Sequence, residues 1–386
     1  MPEFNRDTLG FITRSQDYGD VVRMRFLYVT AYFLYNPDDI EYVLSLNAKN
    51  FIKSMSLRSN FFHRLLGNGL LTSEGDFWRR QRRLAQPALH RQRISAYGEV
   101  MVDYTARLLS AWHEGEVRDI HRDMMRLTLE IVVKTLFNAD VSGDADKVAR
   151  VLSEIVKPFA SQATLKWIID NRLPTPAHRR FHKAAHEIDE IVYRIIAERR
   201  ARGSDEGDLL SMLLAARDED GSHMTDRQLR DEVMTLFLAG HETTALTLSW
   251  SWYLLAKNPQ VEEKFHAELD EVLDGRLPAV RDIAHLKYTE MIAKESMRLY
   301  PPAYGLGREA IEECEIGGYR VPPGSQVFMF PWATQRDPRF FGEPERFHPE
   351  RWTEGFTSSL PKYAYFPFGG GPRVCIGNYF AMMEVV

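Results

Sequence analysis

Residues 226–257 read as one uninterrupted helix, and that length restricts the fold more than any other feature of the chain. Thr225 and Gln228 form a capping box at its start, and Asn258-Pro259 stops it. At 1.5 Å per residue such a helix is about 48 Å long, enough to cross a whole domain. The stretch Val233 to Ala256 is apolar enough to raise the question of a membrane span, but His241 and Glu242 lie at its centre. A lone Glu there would cost roughly 3 kcal/mol in a bilayer, so a buried helix of a large domain is the better reading. Its middle reads Ala239-Gly240-His241-Glu242-Thr243-Thr244. Glycine in a helix interior costs about 1 kcal/mol relative to alanine. Thr243 can turn its hydroxyl to the carbonyl of Ala239, loosening the ladder and leaving a groove. The bland alternative is a helix that tolerates a polar notch.

Helical periodicity dominates the rest, near 76–86, 95–113, 119–138, 144–157, 176–202, 259–273 and 286–299. Strands are expected in two places: a hairpin from about Arg23 to Tyr35, and a cluster from Cys314 to Trp332 with turn signals at Gly317-Gly318 and Pro322-Pro323-Gly324. The pattern is a helix-rich α+β domain with a small sheet. A net charge of −5 argues against bulk nucleic-acid binding. The first twenty residues hold no continuous apolar run, so no membrane anchor is expected. Two distant cysteines offer no disulfide framework, which suits a reducing, cytoplasmic setting. Cys314 lies among Glu312, Glu313 and Glu315, which disfavour its thiolate.

Cys375 is different. It sits in Phe368-Gly369-Gly370-Gly371-Pro372-Arg373-Val374-Cys375-Ile376-Gly377, where glycines leave room for a flat cofactor and Arg373 favours the thiolate. Sulfur can hold a haem iron in this way, although a structural cysteine in a Gly-rich turn is the alternative. The spacing F-G-x-G-x-R-x-C-x-G resembles the cysteine loop of the cytochromes P-450, the haem-thiolate monooxygenases. Other segments agree with that resemblance in the family's order: A-G-x-E-T-T at residues 239–244, E-x-x-R at Glu295 and Arg298, Arg351 in Pro349-Glu350-Arg351-Trp352, and W-x-x-x-R at Trp78 and Arg82.

The resemblance implies the single triangular P-450 fold, α+β but mainly α, over residues 1–386. It implies haem b (iron protoporphyrin IX) with Cys375 as iron ligand, seated by Phe368, Gly369, Arg373 and Gly377. The propionates would meet Trp78, Arg82 and Arg308. Gln335 stands where many relatives have His, and Trp352 where many have Phe. Glu295, Arg298 and Arg351 would form a buried bracing network, with a part in folding rather than chemistry. Glu242 and Thr243 would be catalytic, organising proton delivery to dioxygen bound opposite Cys375. Electrons would come from a ferredoxin or flavodoxin-type donor with its reductase, docking on Arg79, Arg80 and Arg83; a solvated face or a nucleic-acid patch is the alternative for that helix.

The substrate pocket candidates are Phe237, Leu238, Ala239, Ala303, Tyr304 and Leu306, largely apolar. The variants of the two central motifs resemble fatty-acid-hydroxylating branches of the family, so a medium or long acyl chain is expected, with terpenoids or polyketides next. A monomer is expected. The alternatives are a peroxide-using peroxygenase, whose members typically lose the acid–alcohol pair kept here as Glu242-Thr243, and a non-catalytic haem sensor. Because the chain ends eleven residues after Cys375 and lacks the usual lead-in, part of the family's terminal structure is expected to be missing. His178, His182 and His186 have metal-ligand spacing, but Arg179, Arg180 and Lys183 surround them and no acidic ligand follows, so they read as a solvated helix face. Gly67-Asn68-Gly69 lacks the third glycine of a dinucleotide fingerprint.

Overall fold

The computed structural model describes residues 4, 6–26, 29–90, 94–138, 175–203, 206–218 and 221–386. The helix expected near 144–157 lies outside them. In chain order the α-helices are α1 (Thr8–Ser15), α2 (Pro37–Glu41), α3 (Asn60–Leu66), α4 (Gly75–Ala85), α5 (Gly98–Ser110), α6 (Ile120–Phe137), α7 (Pro176–Arg202), α8 (Leu209–Ala215), α9 (Asp226–Lys257), α10 (Pro259–Leu273), α11 (Lys287–Leu299), α12 (Pro331–Thr334), α13 (Glu354–Ser359) and α14 (Asn378–Val385). The strands are β1 (Val21–Phe26), β2 (Val29–Leu34), β3 (Phe51–Lys53), β4 (Leu306–Ala310), β5 (Cys314–Ile316), β6 (Tyr319–Val321) and β7 (Gln326–Met329). The fold is α+β and mainly α. The chain divides into two compact units, residues 1–55 with 246–386, and residues 56–245.

Local chemistry explains the boundaries. α9 opens on the reciprocal bonds Thr225 N–H to Gln228 Oε1 (2.8 Å) and Gln228 N–H to Thr225 Oγ1 (3.2 Å). It ends where Asn258 caps α10, its side chain donating back to the Leu254 carbonyl at 2.7 Å. α7 starts on Thr175, whose hydroxyl accepts from His178 N–H, and closes at Gly203 with φ +63°. α5 is shorter than its periodicity suggests because its end tightens to i→i+3 bonds, Ala111 N–H to Leu108 O and Trp112 N–H to Leu109 O. The second strand cluster likewise stops at Met329: Pro331 opens α12, where its missing N–H costs nothing, so Trp332 is helical.

In the first unit a five-stranded sheet runs β1-β2-β7-β4-β3, with β2 and β7 parallel and the other pairs antiparallel. The β5–β6 hairpin turns at Gly317 and Gly318, both at positive φ. Beneath the sheet Leu34, Val43, Leu44, Val327 and Met329 pack with Tyr363 and Phe366, so one hydrophobic core reaches the segment that precedes Cys375.

In the second unit the N-terminal part of α9 holds the turn after α3. Asp231 accepts from Asn68 N–H at 2.8 Å, and the buried Glu232 accepts from Leu70 N–H at 3.0 Å. A Cβ on Gly69 would run into Thr235, which is the reason this Gly-Asn-Gly run exists. Burial, with Asp231 beside it and the Leu70 bond opposing, pushes the Glu232 carboxyl up to about 8. Its Oε1 has no hydrogen-bond partner among the described residues.

Candidate functional site

The cysteine loop is a tight backbone structure. Gly369 N–H donates to Phe366 O and Cys375 N–H to Phe368 O, each at 2.9 Å, closing the loop on itself, while the Cys375 side chain stands exposed. Gly371 (φ +62°) rests directly on the backbone of the π-turn at residues 42–46, so that a Cβ would overlap the Leu44 carbonyl. A Cβ on Gly370 would overlap the Tyr363 ring, and one on Gly369 (φ +70°) would touch Leu306 at 3.6 Å. Arg373 is half-buried, and Gly377 caps α14, its carbonyl accepting from Ala381 N–H. In the other cysteine, burial and Glu313 raise the Cys314 thiol above its ordinary value, with a hydrogen bond to Asn50 opposing.

Glu295, Arg298 and Arg351 come together in the same unit. The Glu295 carboxylate is wholly buried and accepts from Arg298 through two bonds of 2.8 Å and from Arg351 Nε at 3.0 Å. His348 N–H and the Trp352 indole N–H add two more bonds at 3.0 Å. Arg298 spends its other protons on the carbonyls of Gln335, Pro344 and Arg346. Trp352 thus has a use for its ring nitrogen that a Phe could not supply.

Gln335 does not have its amide to spare for a cofactor. It is fully buried: Nε2 donates to Met297 O (3.0 Å) and Arg298 O (3.2 Å), and Oε1 accepts from Phe366 N–H (3.1 Å). Arg308 is buried on β4, directly opposite the buried Lys53 of β3. Like charges facing across strands are unfavourable by themselves, so this face suits an anion. Lys53 escaped the sequence reading because β3 is three residues long and is paired from far along the chain. Ala303 and Leu306 are half-buried and Tyr304 is exposed.

The notch of α9 belongs to residues 239–244. Thr243 Oγ1 donates to Ala239 O at 2.6 Å. Ala239 and Thr243 lie on one exposed helix face, and Glu242 beside them is half-buried with its carboxyl raised by burial, against a lowering from His121. The opposite face is locked to α6. Thr128 Oγ1 donates to His241 O at 3.0 Å, the His241 ring bonds Met125 O at 2.9 Å, and a Cβ on Gly240 would crowd Val132 at 3.2 Å. Burial pushes His241 down to about 4, with the Met125 bond opposing and His121 adding to the fall. Phe237 shares that inner face, its ring 6.4 Å from His241, and so does not stand with Ala239 and Thr243; Leu238 is half-buried between the two faces. Four residues separate 237 from 241 and 239 from 243, which puts each pair on its own stripe. Thr244 is buried and its hydroxyl has no partner among the described residues.

On α4, Trp78 is buried and the Arg82 guanidinium lies over its ring at 5.8 Å. The basic stripe beside them is less open than the sequence suggests. Arg80 and Arg83 both pair with Asp218, Arg80 also bonds Ser222, and Arg79 pairs with Asp76. The expected docking face therefore shrinks to the half-exposed Arg79 and Arg83, and reversing these charges would also cut the tie to Asp218. The His178 and His182 rings lie 4.1 Å apart, tilted by 42°, and among the described residues no group of three metal-ligating side chains forms.

The family profile described as Cytochrome P450 matches residues 9–386. The chain belongs to the cytochrome P450 family. It is similar to cyclooctatin synthase of Streptomyces melanosporofaciens (38% identical, covering 98% of this chain and 83% of the relative). Cyclooctat-9-en-7-ol 5-monooxygenase of the same organism is 37% identical over 98% and 82% of the two chains. Pentalenene oxygenase of Streptomyces avermitilis is 34% identical over 98% and 84%. This P450 is accordingly an oxidoreductase that incorporates oxygen from O2, with haem iron as its cofactor and electrons from a redox partner. Its residues fit that group: an exposed soft thiol on a glycine-seated loop, and buried cations opposed on β3 and β4 that suit carboxylates. Among the described residues no helix is long and apolar enough to cross a membrane.

Proposed function

We propose that this P450 hydroxylates an apolar C–H bond of a lipophilic terpenoid, an olefin or its alcohol, using haem b held by the Cys375 thiolate. The support for the substrate is the set of relatives named for pentalenene and cyclooctat-9-en-7-ol, which moves the reading from an acyl chain to the terpenoid class that ranked next. The single observation that carries the chemistry is the Cys375 loop, closed at Phe368 and presenting an exposed thiol. When bound, the haem supplies dioxygen activation and transfer of one oxygen atom to carbon. Phe368, Gly369, Arg373 and Gly377 would seat the haem, and Arg308, Lys53, Trp78 and Arg82 would hold its propionates. Thr243 offers a hydroxyl on the open face of α9, and Glu242, its carboxyl raised by burial, can hold and pass a proton there. Ala239, Ala303, Tyr304 and Leu306 would contact substrate, and Glu295, Arg298 and Arg351 would keep the core in register. An acidic ferredoxin or flavodoxin-type donor would meet Arg79 and Arg83.

The test is spectroscopic. The reduced carbonyl complex should show the strongly red-shifted Soret band of thiolate haem, Cys375→Ser should abolish it, and Cys314→Ser should leave it. The reverse pattern would refute the ligand. Spectral titration with sesquiterpene and diterpene olefins against fatty acids then tests the substrate, and tighter binding of the acids would restore the acyl reading.

A further inference from the structure

We infer that Gln335 is a positioning residue for the cysteine loop, coupling the buried Glu295–Arg298 pair to the peptide that leads to Cys375. The inference rests on the reading of Cys375 as iron ligand. Helix α11 ends at Leu299, so the carbonyls of Met297 and Arg298 fall among those its own ladder leaves unpaired. Both accept from the Gln335 amide nitrogen, at 3.0 and 3.2 Å. The other end of the same amide accepts from Phe366 N–H at 3.1 Å. Phe366 then bonds Gly369 through its carbonyl, and Phe368 bonds Cys375, each at 2.9 Å. The residue's own carbonyl accepts from Arg298 Nη1 at 2.9 Å, so the arginine that closes on Glu295 also fixes Gln335.

A planar group with a donor at one edge and an acceptor at the other is required, and the site has no exposure to let water substitute. A neutral imidazole also presents one donor and one acceptor across a plane. A histidine there would keep the Phe366 bond and a donor to one of the two carbonyls. An apolar residue of equal size could not: it would strand the Phe366 N–H and two helix-end carbonyls.

Gln335→Leu and Gln335→His should be made in the full chain and loaded with haem. Denaturant midpoints come first, to identify folded material. In folded Gln335→Leu the red-shifted carbonyl band should convert to the unshifted form roughly tenfold faster than in the wild type, and Gln335→His, which keeps two of the three bonds, should fall between the two and nearer the wild type. Should Gln335→Leu not fold, rescue by Gln335→His with a red-shifted band supports the coupling, and a histidine variant that folds but loses the band overturns it. A leucine variant with wild-type conversion also overturns it. If Cys375→Ser keeps the red-shifted band, the ligand assignment fails first and the coupling falls with it, a result visible without any variant at 335.

Discussion

Two polar centres of this P450 are built on opposite principles. At Glu295 every lone pair that matters is used, with five donors on one wholly buried carboxylate. At the α9 notch the groups are left incomplete. Among the described residues no hydrogen bond to Glu242 is seen and the buried Thr244 hydroxyl is unpaired, while Thr243 donates to a carbonyl of its own helix. A saturated centre resists any change of protonation or geometry and so belongs to architecture. An unsaturated one can accept a proton, a water or a ligand without first breaking a bond, which is what oxygen chemistry asks of it.

The largest effect should come from the saturated side. Glu295→Gln leaves Arg298 buried without its counter-charge and should cost about 3–5 kcal/mol, read as a fall in the urea midpoint and in recovery of folded protein. A midpoint equal to wild type would mean that the network is ornamental and the contrast false.

Next is a pH signature carried by α9. Glu232 is neutral in the fold up to about pH 8 but ionises near 4.5 when unfolded, so stability drops as pH rises between those values. His241, held down to about 4 against an ordinary 6.5, does the opposite: stability rises with pH from 4 to 6.5. The two slopes cancel between 4.5 and 6.5, leaving a decline of about 2 kcal/mol from pH 6.5 to 8. Glu232→Gln should remove that decline in a pH series of denaturant unfolding, and an equal decline in wild type and variant would refute it.

The smallest effect on stability belongs to Thr243→Ala. Its exposed hydroxyl should be worth less than about 0.5 kcal/mol to the fold, while hydroxylated product per reductant consumed drops roughly tenfold and peroxide takes its place. Full coupling in Thr243→Ala would reduce the notch to a structural irregularity.

Much of this was readable from the chain because it is local. The bounds of α7, α9 and α10 follow from caps and prolines one or two residues away, and the Thr243 bond to Ala239 from a four-residue repeat. The rest depends on partners distant in sequence. Arg80 meets Asp218 across 138 residues and β3 finds β4 across some 250, and neither leaves a periodic trace. Gln335 looked like a departure from a propionate ligand until its three backbone partners were in view. Phe237 is a case of another kind: an apolar residue next to a polar notch reads as pocket lining, and only the structure shows it on the face of α9 that carries His241.

The glycines of the cysteine loop carry a consequence for anyone randomising this segment. Gly371 meets carbonyl and Cα atoms of Leu44 and Ser45, so the obstacle is main chain and no smaller neighbour can relieve it. At Gly370 the nearest obstacle is the ring of Tyr363, which one additional codon could clear. A library that varies 370 together with 363 should therefore recover functional pairs, whereas position 371 should return glycine whatever is varied around it. What an alignment would record as two neighbouring small residues is one negotiable vacancy beside one absolute one.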